Sequence, residues 1–281
     1  MRVLVTGAAG QVGREVVAAF EGHDVVAADR VALDVTDRDA VLTAVEGVRP
    51  DAVVHAAAWT DVDGCEGDRD RAFAVNAMGA RHVAEAARRA GAHLCHLSTD
   101  YVFAGDETRP YSEWDSPAPR SVYGRSKLGG EQALSPDDTV VRTSWVNGHH
   151  GRNFVKAILR AAGEREELAV VDDQHGCPTF AGDLAAMIRR LVLARMPGLF
   201  HVTNQGVTTW WGLARDTLVA AGLDPHRVRP VATAELDPPR VAPRPAWSVL
   251  DNAALRLSGL PLLDDYHVPL ERLVRQLERD R

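Results

Sequence analysis

No apolar run in the 281-residue chain approaches the roughly 18 residues that a membrane-spanning helix needs, and no signal peptide precedes the strand-like run that opens at Arg2. These absences set the expectation of a cytoplasmic protein without a membrane partner. Cysteine is scarce: Cys65, Cys95 and Cys177 are odd in number and show no CxxC spacing, so neither a disulfide framework nor a zinc site is expected. An excess of positive charge is also missing. Lys plus Arg number 32 against 39 for Asp plus Glu, and a net charge of −7 argues against a protein that must neutralise many nucleic-acid phosphates, so any anionic ligand has to be met locally. There is no internal repeat and no low-complexity tract. What remains, 46% hydrophobic and 25% charged residues, excludes disorder and describes a globular chain of one large domain or two interleaved smaller ones.

The first hundred residues alternate short apolar β-branched runs, at 3–6, 25–28, 52–55 and 94–97, with longer amphipathic stretches. This is a βαβ series, which implies a parallel sheet with helices on both faces. Val12, Val16, Val17 and Phe20 recur on one helical face. A second stretch, 71–90, sets Ala72, Phe73, Val75, Val83 and Ala87 among charged neighbours and predicts one long helix over the sheet. A helix over 123–134 leads to a strand at 140–143. Beyond Trp145 the rhythm loosens, with helices predicted near 153–162, 181–193 and 211–221. Residues 225–245 hold six of the chain's fifteen prolines and read as an irregular loop. The expected fold is α/β: a doubly wound parallel sheet over residues 1–145 and a smaller C-terminal part, 146–281, interleaved with it.

Gly7-Ala8-Ala9-Gly10-Gln11-Val12-Gly13 follows the first strand and opens the first helix. Glycines there let the backbone turn tightly and approach a pyrophosphate, whose charge meets the N–H groups of the helix N-terminus. Asp29 ends the second strand 22 residues after Gly7, where an acid can bond an adenosine ribose. The combination points to a dinucleotide, against the plainer alternative of a tight turn alone. Arg30 leaves the cofactor open, because Asp29 favours the free 2′-hydroxyl of NADH and an arginine favours the 2′-phosphate of NADPH. Asp34 and Val35 fall near the adenine in this reading; alternatively Asp34 caps the next helix.

Tyr123 and Lys127 stand four apart in Tyr-Gly-Arg-Ser-Lys, one turn apart on one helical face. The ammonium is expected to lower the phenol's pKa from about 10 and fit it for proton exchange with a carbonyl or alcohol. Lys127 can also hold a nicotinamide ribose; an exposed i,i+4 pair is the bland alternative. Thr99, at the carboxyl edge of the sheet, is expected to polarise the substrate oxygen. Reduction of a ketone by hydride is the economical chemistry for such a set.

The GxxGxxG spacing resembles the extended branch of the short-chain dehydrogenase/reductase superfamily, which has a Rossmann-type fold. Within it the chain is similar, through most of its length, to the dTDP-4-dehydrorhamnose reductases, which make dTDP-L-rhamnose from the 4-keto sugar with NADH or NADPH. The resemblance is carried by Gly10-Gln11-Val12-Gly13, Ala56-Ala57-Ala58-Trp59-Thr60 with Val62, Asp63 and Glu66, and Ser98-Thr99-Asp100-Tyr101-Val102-Phe103. It continues through Tyr123-Gly124, Lys127-Leu128, Arg142-Thr143-Ser144-Trp145-Val146, Asn153-Phe154, Asp173-Gln174, Pro178-Thr179, Thr209-Trp210 and Arg244-Pro245. Residue by residue, the resemblance implies cofactor contacts at Gly10, Gln11, Val12, Asp29, Asp34, Val35, Ala58, Trp59, Thr60, Tyr123 and Lys127, and contacts with a dTDP-sugar substrate at Thr99, Asp100 and Trp145.

Several of these positions have a second reading. Trp145 either lays its face on a sugar or base or belongs to the core. Arg244 either pairs with the diphosphate or stays solvated, and Asn76 has a structural role or orders a water near Lys127. His149 and His150 are expected in solvent rather than on a metal. Related dehydratases continue Ser-Thr-Asp with Glu, whereas Tyr101 follows Asp100 here, which argues for a simple reductase. Pro243 replaces the family's second arginine beside Arg244. Some members dimerise through a metal held by glutamates; Glu15 keeps the first of these but Gly182 stands at the second, so no metal is expected, and the chain is read as a monomer or a metal-independent homodimer. The alternatives are a sibling keto-sugar reductase, such as one forming dihydrostreptose, and a non-catalytic regulatory subunit resembling the β-subunit of methionine adenosyltransferase. Intact Thr99, Tyr123 and Lys127 weigh against the latter.

Overall fold

A computed structural model describes residues 1–280. Five strands carry the first half of the chain: β1 (Arg2–Thr6), β2 (Asp24–Ala28), β3 (Ala52–His55), β4 (His93–Thr99) and β5 (Thr139–Thr143). With an edge strand, Gly198–His201, they form one six-stranded parallel sheet in which β2 lies outside β1 and the rest follow as β3, β4, β5 and the edge strand. The sixth strand escapes the sequence pattern because it is four residues long and its apolar content is only Leu199 and Phe200.

Parallel strands covered on both faces need apolar residues at every position, and β1 supplies them. Val3 and Val5 point to one side, against Val16, Phe20, Leu184, Ile188 and Leu191; Leu4 points to the other, against Val41, Val45, Val83 and Leu94. The first of these faces joins the two halves of the sequence: helix α1 (Gln11–Ala19) packs on the helix Ala181–Leu193, so a C-terminal helix and strand complete the N-terminal sheet. The remaining C-terminal elements build their own core around Val155, Leu159, Leu213, Leu270 and Val274. Among the described residues no helix is long and apolar enough to cross a membrane.

Two expectations need correction. The stretch 71–90 is not one regular helix: Arg69–Phe73 passes into a π-helical turn, Ala74–Met78, before Gly79–Ala90 resumes the α-helix. The wider turn carries the buried Asn76, whose amide is used in three hydrogen bonds described below. Residues 225–245 are not wholly irregular either. Val228–Val231 forms a strand parallel to Leu168–Val171, between the short helical turns Pro225–Arg227 and Thr233–Glu235. Pro230 is tolerated in it because this ribbon has a partner on one side only.

Candidate active site

The chain leaves β1 in opposite directions to reach β2 and β3, and the carboxyl ends of the strands open a crevice at that reversal. Gly7 turns there with φ +69°, and a Cβ on it would lie 2.6 Å from the Ala57 nitrogen; one on Gly13 would lie 2.2 Å from the Gly7 oxygen. Only glycine lets β1, β3 and α1 approach this closely. The resulting cleft, about 250 Å³, is lined by Gly7, Gly10, Asp29, Arg30, Asp34, Val35, Ala58 and Trp59 from the sequence-derived set. Arg71, which the sequence reading missed, joins them with its guanidinium 4.3 Å over the Trp59 ring.

Just beyond β2, Asp29 Oδ1 accepts the N–H groups of Val31 and Ala32, both at 2.9 Å. Asp34 does not cap the next helix, α2 (Arg38–Val48), whose cap is Asp37. Instead Asp34 accepts the Thr36 N–H and hydroxyl at 2.9 and 2.8 Å, bonds that hold its carboxyl below the usual range. Five sequence-derived cofactor residues, Gln11, Val12, Thr60, Tyr123 and Lys127, are not among those lining the cleft. Gln11 donates to the Val146 oxygen and accepts from Asn153, both at 2.9 Å, tying α1 to the C-terminal half. Val12 packs against the core and Thr60 is exposed.

The helix Val122–Glu131 is set beside the cleft by local chemistry. Ser121 caps it through the Gly124 N–H at 3.0 Å, and Glu66 accepts the Val122 N–H at 2.7 Å. A side chain at Gly124 would meet the Tyr101 oxygen at 2.1 Å, so the helix can press against the turn after Thr99. Asn76 accepts the Trp59 N–H at 2.8 Å and donates to the Trp59 oxygen and to the Ser126 hydroxyl, which in turn donates to the Tyr123 oxygen. It therefore joins the cleft wall to the helix and makes no bond to Lys127.

Lys127 Nζ donates to the Leu97 oxygen at 2.6 Å and lies 3.4 Å from His96 Nε2; the His96 ring stacks on His55, whose Nδ1 meets the Thr6 hydroxyl at 2.7 Å. Burial draws the lysine down to about 8 and His55 to about 3. The expectation that Lys127 lowers the Tyr123 pKa is overturned. Tyr123 is buried, burial pushes its pKa up, and the ammonium is turned to the Leu97 carbonyl rather than to the phenol. Thr99 donates to Asp100 Oδ1 at 3.0 Å; the other Asp100 oxygen is buried without a partner, and burial raises this carboxyl to about 6.

Trp145 adopts φ +47° and stacks face to face on Trp210 at 3.6 Å, with Phe154 tilted against the same Trp210 ring and the Gly176 backbone close to the Trp145 edge. One face is thus committed to C-terminal packing. Arg244 is not solvated: its side chain is 13% exposed and pairs with Asp63 at 2.8 Å, while Asp63 also accepts the Ala242 N–H at 2.9 Å. His149 and His150 are half-buried rather than free in solvent, 3.5 Å from Asp280 and 4.0 Å from Glu15. Among the described residues no three His, Cys, Asp or Glu side chains converge as metal ligands.

Comparisons with known proteins agree with this geometry. The family model of the RmlD substrate binding domain matches residues 1–279. A dTDP-4-dehydrorhamnose reductase of Streptomyces griseus is 44% identical over 280 residues, covering 96% of this chain and 91% of that protein. A dTDP-4-keto-6-deoxy-D-glucose reductase of Streptomyces niveus is also 44% identical, over 99% of this chain and 98% of its own length. The crystal structure of a dTDP-4-dehydrorhamnose reductase from Bacillus anthracis in complex with NADP matches with a TM-score of 0.94 at 39% identity, covering 98% of this chain and 99% of that one.

Proposed function

The chain belongs to the family of the RmlD substrate binding domain, that of the dTDP-4-dehydrorhamnose reductases, and from that premise we propose that it is an NAD(P)H-dependent reductase of the 4-keto group of dTDP-4-dehydro-L-rhamnose, yielding dTDP-L-rhamnose. The observation that supports this reading is the buried Tyr123 set against Thr99, with Lys127 one turn along the same helix held to the Leu97 carbonyl, beside a cradle that only glycines leave open. NADPH or NADH fits that cradle: Gly7 and Gly10 offer the turn to the pyrophosphate, with the backbone of Gln11 and Val12 starting the helix behind it, Asp29 and Arg30 flank the ribose, Asp34 and Val35 sit at the adenine end, and Ala58 and Trp59 form the wall towards the nicotinamide, with Thr60 exposed beyond it.

When bound, the nicotinamide supplies hydride. The chain's own groups handle the oxygen and the proton. Because burial raises its pKa, the Tyr123 phenol is in its acid form at neutral pH and donates its proton to the carbonyl oxygen as the ketone becomes an alcohol. The Thr99 hydroxyl donates a hydrogen bond to the same oxygen. Lys127, drawn down to about 8, still carries its charge at neutral pH and holds the ribose. Asp100 and Trp145 meet the sugar, and Arg244 exchanges Asp63 for the diphosphate.

In this reading residues 1–145 bind the dinucleotide and 146–281 mainly bind the dTDP-sugar, the helix Ala181–Leu193 and strand Gly198–His201 returning to the first unit. The protein works in the cytoplasm as a monomer or metal-independent homodimer, without a nucleic-acid or membrane partner. A sibling dTDP-keto-sugar reductase is the second reading, favoured by the equal identity of the Streptomyces niveus relative. Oxidation of NADPH and NADH by a panel of dTDP-4-keto sugars separates the two. In the same assay Tyr123→Phe is expected to lower turnover by about two to four orders of magnitude with nucleotide affinity kept; near-normal turnover sinks the assignment.

A further inference from the structure

Behind the glycine turn lies a second cavity, about 420 Å³, lined by Arg14, Asp29 and His150 with Ala9, Val17 and Ala27. Ala9 and Asp29 also line the dinucleotide cleft, so the two spaces share a wall at the end of β2, where the ribose hydroxyls of an adenosine are read. Arg14 is anchored through Nε to the Ala9 oxygen at 3.1 Å, and its two terminal nitrogens have no partner among the described residues. His150 belongs to a loop laid over α1. A Cβ on Gly151 would lie 3.5 Å from that of Gln11, and Lys156 pins the loop by donating to the His149 and Gly151 oxygens. The charged groups around His150 are Glu15, 4.0 Å from its Nε2, the edge-on His149 with Asp280 beyond it, and Asp29 and Arg14 across the cavity.

We propose that this cavity receives the 2′-phosphate of NADPH, gripped by Arg14 and His150 on one side while Arg30 approaches from the cleft. The inference rests on the nicotinamide-cofactor reading of the adjoining cleft. A phosphate monoester brings nearly two negative charges to the Asp29 carboxylate in a chain whose net charge is already −7, and a single arginine beside that acid does little more than cancel it. Two further donors on the far side of the wall, one a guanidinium fixed by its own hydrogen bond, change the balance, since a guanidinium matches a phosphate bidentately. With NADH, Asp29 keeps the free hydroxyl and the cavity plays no part.

Calorimetric titration with 2′,5′-ADP and with 5′-ADP tests this without turnover. Arg14→Gln and His150→Gln are each expected to weaken 2′,5′-ADP by about five- to tenfold, with Arg14→Lys retaining most of the affinity, while 5′-ADP changes by less than about twofold. Unchanged 2′,5′-ADP affinity in both variants, or equal losses for the two nucleotides, overturns the proposal. If the unaltered protein binds 5′-ADP but not 2′,5′-ADP, the cavity is refuted and the cofactor cleft stands; if it binds neither, the cofactor reading falls with it.

Discussion

Asp100 stands where β4 gives way to the next turn, and it is the carboxylate most displaced upward by burial, to about 6 from an ordinary 3.8. The sign of the consequence follows from proton linkage. Between about pH 4 and pH 6 the folded chain holds a proton that the unfolded chain has released, so this residue lowers stability as pH rises through that window. A difference of about two pKa units corresponds to about 3 kcal/mol at 1.36 kcal/mol per unit, fully present above about pH 7. Asp100→Asn removes the charge and keeps the shape. Its carbonyl can still accept the Thr99 hydroxyl, while its amino group takes the place of the unpartnered oxygen and offsets part of the benefit, by about 1–2 kcal/mol. The variant should therefore be more stable than the parent by about 1–2 kcal/mol at pH 7.5 and slightly less stable at pH 4.5. Urea unfolding of both proteins at the two pH values measures this. The quantity to read is the variant-minus-parent free energy, which should change by about 2 kcal/mol between them, since about 1 kcal/mol of the penalty is already present at pH 4.5 and groups that titrate alike in both proteins cancel. An identical difference at both pH values refutes the reasoning. Turnover should fall even as stability rises, the expected trade where a site keeps a costly buried charge.

Glu131 accepts Arg142 through both oxygens, at 2.9 and 2.7 Å, and also the Ser98 hydroxyl, all buried; Glu131→Gln leaves the Arg142 charge uncompensated and should cost about 3 kcal/mol or more in urea unfolding, against no loss if the pair is idle. Asp63→Ala releases Arg244 and the Ala242 N–H, so trypsin should cut faster at Arg240 while 5′-ADP affinity holds; unchanged cleavage would count against a fastening role. Molecular mass in solution and turnover should be indifferent to EDTA and to added Mg²⁺, because the carboxylate at Glu15 faces Gly182 and His150 rather than a second acid. A chelator-induced loss of both, restored by magnesium, would overturn that.

The parts of the fold legible in the sequence are those set by periodicity over several turns or strands: β1 to β5, α1 and the helix carrying Tyr123 all lie within a few residues of their apolar patterns. The edge strand Gly198–His201 was not legible because its identity comes from pairing with β5, a non-local fact. The π turn at Asn76 was hidden for a related reason, since a helix that widens by one residue keeps nearly the same apolar face. At the candidate site, glycine spacing and the Tyr123–Lys127 interval pointed to one strand edge and one helix face but misjudged the electrostatics. The four-residue interval fixes which helical face both residues share; it says nothing of the Leu97 carbonyl that attracts the ammonium or of the burial that outweighs it. Asp63, Arg71 and His96 act on the site through partners 181, 12 and 31 positions away, beyond the reach of any local pattern.

What aligns the site is a set of buried polar bonds where apolar contact would have sufficed for cohesion. Asn76 binds Trp59 on the cleft wall and Ser126 on the helix of Tyr123; Glu131, at the end of that helix, binds β4 through Ser98 and β5 through Arg142; Gln11, at the start of α1, binds Val146 and Asn153 across the halves. A hydrophobic contact tolerates sliding, whereas a hydrogen bond weakens steeply with distance and angle. Each of these bonds therefore restricts a displacement that would part the phenol from Thr99 or the glycine turn from the C-terminal half. Proton transfer needs heavy atoms within about 3.2 Å, so the tolerance of the chemistry is narrower than that of the core. The directional preference of these bonds is what an apolar filling of the same volume would not supply.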